Sequence, residues 1–204
     1  MSRGRDLFFM ALLTTACSTL LVVTDALVRT ATAADPALAR SVLALLPADG
    51  AAGGGDVGGD PAAAFAARFR ALPPPPGVAG FYVSRQRPTV AVAEVAGAGM
   101  CGRLRLLVAY DHAAATVLGV GVVVHSETPG LGARIAEGPF LGQFRGLRAP
   151  EGVRAGGGRQ AEGGFDAITG ATVSSRAVAD LVNAGLAAIR RAAAAGELAG
   201  RPGG

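Results

Sequence analysis

Lysine and tryptophan are both absent from the 204-residue chain, and aromatic residues make up only 5% of it. All 19 basic residues are therefore arginines. They are scattered, and against 15 acidic residues they leave a net charge of only +4. Without a basic stripe or interleaved aromatic platforms, the composition weighs against a nucleic-acid-binding protein. Cysteine is nearly absent as well. Cys17 lies in an apolar N-terminal stretch and Cys101 in mid-chain, so neither a disulfide framework nor a zinc-ligand spacing is available. Cys101 reads as a small, half-buried hydrophobe. The two histidines, His112 and His125, stand 13 positions apart and point to no metal site. Half of the residues are hydrophobic, but alanine and glycine dominate the chain. The core is therefore smaller than the percentage implies: one globular domain with accessory segments.

The chain does contain one long apolar run. Residues 7–28 are interrupted only by small hydroxyls and by Asp25. At helical rise they span roughly 33 Å, enough for a hydrocarbon core of about 30 Å. Arg3 and Arg5 precede the run, so residues 1–6 are expected on the cytoplasmic side. Ala11, Thr15, Ser18 and Val22 share one helical face whose small side chains would admit a neighbouring helix. Two other readings stand beside a retained membrane helix: signal-peptidase cleavage after Ala31-Thr32-Ala33, and a lipoprotein site at Ala16-Cys17. The length of the run and Thr14 at the third position before Cys17 count against them. All three place the rest of the chain outside the cytoplasmic membrane.

Residues 29–80 read as an extracytoplasmic helix followed by a connection. Pro36 opens a short helix with Leu38, Val42, Leu43 and Leu46 as its apolar positions. Residues 49–61 are rich in glycine, residues 62–72 form one helical turn or several, and Pro73 to Pro76 form an extended spacer. The folded domain is expected to begin near Phe81. Strand-like runs follow at 81–84, 89–95, 104–110 and 116–125, the last dense in valine. Short turn-linked strands with later helices make the class α+β, an antiparallel sheet with packed helices. Residues 81–192 form this domain, and residues 193–204 a flexible tail.

Two stretches carry chemistry. The first is Asp166-Ala167-Ile168-Thr169-Gly170-Ala171-Thr172-Val173-Ser174-Ser175. Val178, Leu181, Val182, Leu186 and Ile189 follow at helical spacing, which puts Thr169 to Thr172 at the mouth of a helix. Backbone N–H groups lack partners there and the helix dipole favours an anion, so a phosphate beside Thr172 would be well placed. Gly170 would allow its close approach. An ordinary hydroxyl cap explains the same residue types. The second stretch is His125-Ser126-Glu127-Thr128-Pro129-Gly130-Leu131-Gly132, a rigid-then-flexible loop that reads equally as a structural turn.

Taken together, these two stretches resemble the signatures of the FMN-binding domain of bacterial redox pumps. Asp-x-x-Thr-Gly-Ala-Thr-x-Ser resembles its flavinylation motif, and His-x-Glu-Thr-Pro-Gly-Leu-Gly its second signature, about 40 residues upstream. The family is the G subunit of Rnf-type complexes, with the C subunit of the sodium-translocating NADH:quinone reductase as the alternative. The resemblance implies FMN attached to Thr172 through a phosphoester bond, with Asp166, Thr169, Gly170, Ala171 and Ser174 around the attachment point. It assigns Thr128, Gly130 and Leu131 to the isoalloxazine side, and Glu127 to a polar or loop-fixing role. His125 carries less weight, as a satisfied structural residue. The glycine-rich turn at 97–102 holds Met100 and Cys101 where the family usually has an aromatic. Also implied are a single-pass protein of the bacterial inner membrane with its flavin domain on the periplasmic side, an electron carrier without a catalytic site of its own. Its partners would be the other membrane and flavin/iron–sulfur subunits, and a flavin transferase that uses FAD as donor. A reading of another class remains: a membrane-anchored binding module without cofactor, with Thr172 a mere helix cap.

Overall fold

The computed structural model describes residues 10, 14, 15, 18, 19, 36–46, 60–158 and 161–199. The chain divides into two units, residues 1–35 and 36–204. In the first, the described residues are helical, and the hydroxyls of Thr14 and Thr19 donate to the carbonyls of Met10 and Thr15 four positions earlier. Most of the expected membrane helix, 7–28, lies outside the described residues. Among those described, no helix is long and apolar enough to cross a membrane.

The second unit is α+β. Its centre is a six-stranded antiparallel meander in sequential order: β1 (Phe69–Leu72), β2 (Gly80–Ser84), β3 (Val90–Ala98), β4 (Arg103–Asp111), β5 (Thr116–Val124) and β6 (Leu147–Arg148). The period-2 side-chain alternation sorts β3 and β4 into two buried faces. Val95, Leu104, Leu106, Val108 and Tyr110 face one core, while Val92, Leu107 and Ala109 face the other. Helices α1 (Pro36–Leu45) and α2 (Pro61–Arg68) cover the second face through Leu38, Val42, Leu45 and Phe65. A short helix, α3 (Gly138–Leu141), lies between β5 and β6, and a two-stranded parallel ribbon, β7 (Arg154–Ala155) with β8 (Gly164–Phe165), follows β6. The first face is closed by α4 (Thr172–Ala194), 23 residues long, whose Val178, Val182, Leu186 and Ile189 are wholly buried. Gly185 lets this helix approach the sheet, since a Cβ there would lie 3.2 Å from the Cβ of Val108.

Two expected boundaries move. The sheet begins at Phe69, not near Phe81, and α1 and α2 belong to the same unit. Phe65 stacks on Phe69 at 5.3 Å and meets Tyr82 edge-on at 5.2 Å, so this aromatic cluster recruits the preceding chain to the sheet. The proline run is accordingly a hairpin loop between β1 and β2 and not a spacer. Proline cannot extend the ladder, and Gly77, at φ +89°, makes the reversal. At the other end, α4 runs to Ala194, and Leu198 is buried with its carbonyl accepting from Arg70 at 2.7 Å. The packed chain therefore continues to Leu198 where a flexible tail was expected from 193.

Candidate functional site

Helix α4 starts at Thr172, and its N-cap residue is Ala171, which has no side-chain oxygen to offer. Thr172 is thus the first helical residue and not the cap, which corrects the simplest hydroxyl-cap reading. Ser175 N–H reaches the Ala171 carbonyl at 3.0 Å, while the amides of Thr172, Val173 and Ser174 find no acceptor among the described residues. Three free donors at the positive end of a long helix make an anion-receptive mouth. The Thr172 side chain is exposed there, and its hydroxyl makes no hydrogen bond among the described residues.

The turn before the helix is held from inside. Ser175 Oγ accepts from Ile168 N–H and donates to the Ala171 carbonyl, both at 3.0 Å. Ala171 N–H closes the turn onto the Ile168 carbonyl at 2.9 Å, and Gly170 supplies the positive φ of +82°. Ile168 and Ala171 point inward, while Asp166, Thr169 and Gly170 are exposed.

The second loop meets this turn. Leu131 is 41% exposed, and a Cβ on Gly170 would lie 3.2 Å from its Cδ1, so the two loop tips are neighbours. Thr128, Pro129 and Gly130 are exposed, with the Leu131 and Ala133 amides folding back on the Thr128 carbonyl. Beneath them, Glu127 is buried and ties three segments together. Its Oε1 accepts from the amides of Met100 (2.7 Å) and Cys101 (3.3 Å), and its Oε2 accepts from Ser174 Oγ at 2.6 Å. Ser174 is fully buried, so it supports the site from below and does not line its surface. Met100, Leu131 and Val173 are the large apolar side chains these segments leave in solvent. Cys101, expected to be half-buried, is exposed instead, with its Sγ 3.5 Å from Thr128 Oγ1. His125 Nδ1 is buried with no partner among the described residues, contrary to the expected satisfied histidine.

Residue spacing could not reveal Ser175, Gly99 and Gly132. A Cβ on Gly99 would collide with Glu127 Oε1; one on Gly132 would fall 2.5 Å from Glu127 Oε2 and 2.8 Å from Ser174 Oγ. Both oxygens are fixed by hydrogen bonds in a buried place and have nowhere to go. Gly132→Ala is therefore expected to destabilise the fold by about 2 kcal/mol, the scale of overpacking a filled site; a urea unfolding midpoint measures it. Two open concavities lie apart from this surface, one of about 470 Å³ beside Tyr110 and Arg190, the other of about 370 Å³ beside Arg145 and Arg148.

Comparison with known proteins finds similarity over the region that holds these segments. Residues 99–187 match the FMN-binding domain family, a segment that begins at the Glu127-bound turn and ends within α4. The G subunit of the ion-translocating oxidoreductase complex of Methanosarcina acetivorans is 41% identical over 85 residues, covering 42% of this chain and 43% of that protein. The corresponding G subunit from Pseudomonas aeruginosa is 40% identical over 111 residues, covering 52% of this chain and 51% of that protein. The chain thus spans about half the length of the curated relatives it matches. Among solved structures, the C subunit of the Na(+)-translocating NADH-quinone reductase from Parabacteroides distasonis superposes with a TM-score of 0.46 at 23% identity, over 55% of this chain and 62% of that one. Over residues 99–187 the chain is thus similar to the FMN-binding domain family, and the curated relatives it matches are named as G subunits of ion-translocating oxidoreductase complexes.

Proposed function

We propose that this protein is an electron-carrying G-type subunit of a membrane-bound, ion-translocating electron-transport complex, with FMN joined to Thr172 by a phosphoester bond. The observation that carries the attachment point is the exposed Thr172 hydroxyl, without a hydrogen bond among the described residues, at a helix mouth whose first three amides find no acceptor among them and whose cap position is alanine. No base adjoins that hydroxyl among the described hydrogen bonds, so Thr172 is an acceptor acted on by a separate flavin transferase and not a nucleophile activated in place. The phosphodiester would keep one negative charge, which the helix N-terminus stabilises by roughly 0.3–1 kcal/mol at an exposed site. That orients the link but does not retain a cofactor, so covalency supplies retention.

Bound FMN supplies the electron chemistry, and the chain's part is to hold and shield it. Leu131, Val173 and Met100 offer an apolar surface beside Thr172, and Thr128 a hydroxyl at its edge. Glu127 serves this surface indirectly, by fixing the Met100–Cys101 turn and the helix start relative to one another. The apolar run at 7–28 would anchor the subunit in the inner membrane with residues 1–6 inside and the flavin domain on the periplasmic side, among the other membrane and flavin/iron–sulfur subunits.

Leu131→Ala tests the ring-side assignment. Covalent flavin should be retained, and water replacing the leucine should favour the more charged reduced form. The potential should rise on the order of 20 mV, the two-electron equivalent of about 1 kcal/mol. A potentiometric titration coincident with wild type would return this loop to a purely structural role.

A further inference from the structure

We propose that Gln143 is the positioning residue that holds Asp166 and the attachment loop in the form in which Thr172 accepts flavin; the inference rests on covalent attachment at Thr172. Gln143 lies in the 3₁₀ turn Gly142–Phe144, and its side-chain amide pairs with both backbone groups of Asp166. Asp166 N–H donates to Gln143 Oε1 at 2.8 Å, and Gln143 Nε2 donates to the Asp166 carbonyl at 3.3 Å. The amide thereby stands in for a neighbouring strand's backbone just where β8 ends. Among the described residues, Asp166 has no other backbone partner.

The base on which Gln143 stands is rigid. Phe144 is wholly buried, its ring 4.7 Å from Phe165 and 5.7 Å from Phe140. Gln143 and Phe144 thus grip two consecutive residues, Asp166 by hydrogen bonds and Phe165 by packing. Downstream, Ser175 pins Ile168 and Ala171. The loop is therefore fixed at Asp166, Ile168 and Ala171, while the Asp166 side chain, Thr169, Gly170 and Thr172 stay exposed. An apolar residue would fill the Gln143 position as well for packing; only loop placement needs both of its amide bonds.

In the transfer, the phosphoanhydride bond of FAD breaks and a phosphoester bond forms between Thr172 Oγ and the FMN phosphorus. AMP leaves, the hydroxyl proton passes to the transferase or to water, and no electron is exchanged. The transferase must receive the loop in one form. If only a fraction of molecules present that form, the apparent affinity falls by that fraction, while turnover at saturation is unchanged. Gln143 thus acts on KM.

The test uses the full chain, purified flavin transferase and FAD, with initial flavinylation rates measured against carrier concentration. Gln143→Leu should raise KM about tenfold and leave kcat within about twofold, as expected when the competent population falls. Hydrogen exchange should quicken across residues 166–171 and remain as in wild type on β3 and β4. Gln143→Glu keeps the acceptor for Asp166 N–H but loses the donor, so its KM should lie between the two. A wild-type KM in Gln143→Leu overturns the assignment; should that variant fail to fold, a wild-type KM in Gln143→Glu does so. A wild-type chain that takes up no flavin, or a Thr172→Ala chain labelled as well as wild type, would instead defeat the attachment reading itself.

Discussion

Thr172→Ala is expected to abolish covalent flavin while leaving stability within about 0.5 kcal/mol of wild type, the usual range for an exposed side chain without a partner. The small structural effect follows from the helix start. Were Thr172 the cap, its loss would cost typically about 1 kcal/mol. It is instead the first helical residue, exposed, with Ala171 at the cap and Ser175 holding the turn from the buried side. Thr169, three residues earlier, is also exposed but lies outside the helix, away from its unpartnered amides, so Thr169→Ala should retain most of the label. In-gel flavin fluorescence after denaturation reads the attachment, and circular dichroism with a melting curve reads the fold. Fluorescence that survives in Thr172→Ala would move the attachment elsewhere.

Glu127→Ala should have the largest effect on stability, about 3 kcal/mol. The carboxyl group accepts three hydrogen bonds in a buried place. Its removal leaves two amides and the Ser174 hydroxyl without partners, at roughly 1–3 kcal/mol for each donor that water cannot reach. The loss should be local as well as global, because the turn at Met100–Cys101 and the start of α4 are joined through this one side chain. Glu127→Gln should be milder, near 1 kcal/mol, since its carbonyl can still accept from the Met100 amide and the Ser174 hydroxyl can rotate to accept from its NH₂. Guanidinium unfolding of the pair separates a bonding role from a space-filling one. Equal losses in both variants would contradict the bonding account.

Strands β2 to β5 were legible because runs of aliphatic and aromatic residues stand between stretches of glycine, proline or charged residues, and each lies within a residue or a few of its expected bounds. The helix after Thr172 was legible for the corresponding reason, an apolar period of three and four. Strand β1 was not. It has four residues, and its place in the sheet depends on Phe65, Phe69 and Tyr82 meeting in space. The candidate site divides in the same way. The exposed threonines and glycines announce themselves as loop chemistry, whereas the ties beneath them are long-range. Glu127 and Ser174 are 47 positions apart, and Gln143 and Asp166 are 23. Nothing local marks Gln143 as the partner of a backbone segment, and nothing local shows that Gly132 yields its side-chain volume to Glu127.

The most direct measurement is the mass of the chain after co-production with a flavin transferase, followed by tryptic mapping. Arg159 and Arg176 bound one peptide, residues 160–176, that contains the whole attachment stretch. The account predicts that the intact chain gains one FMN less one water, that this peptide alone carries the gain, and that fragmentation places it on Thr172 and not on Thr169, Ser174 or Ser175. A chain at its unmodified mass under those conditions, or a flavin on any other residue, would contradict it.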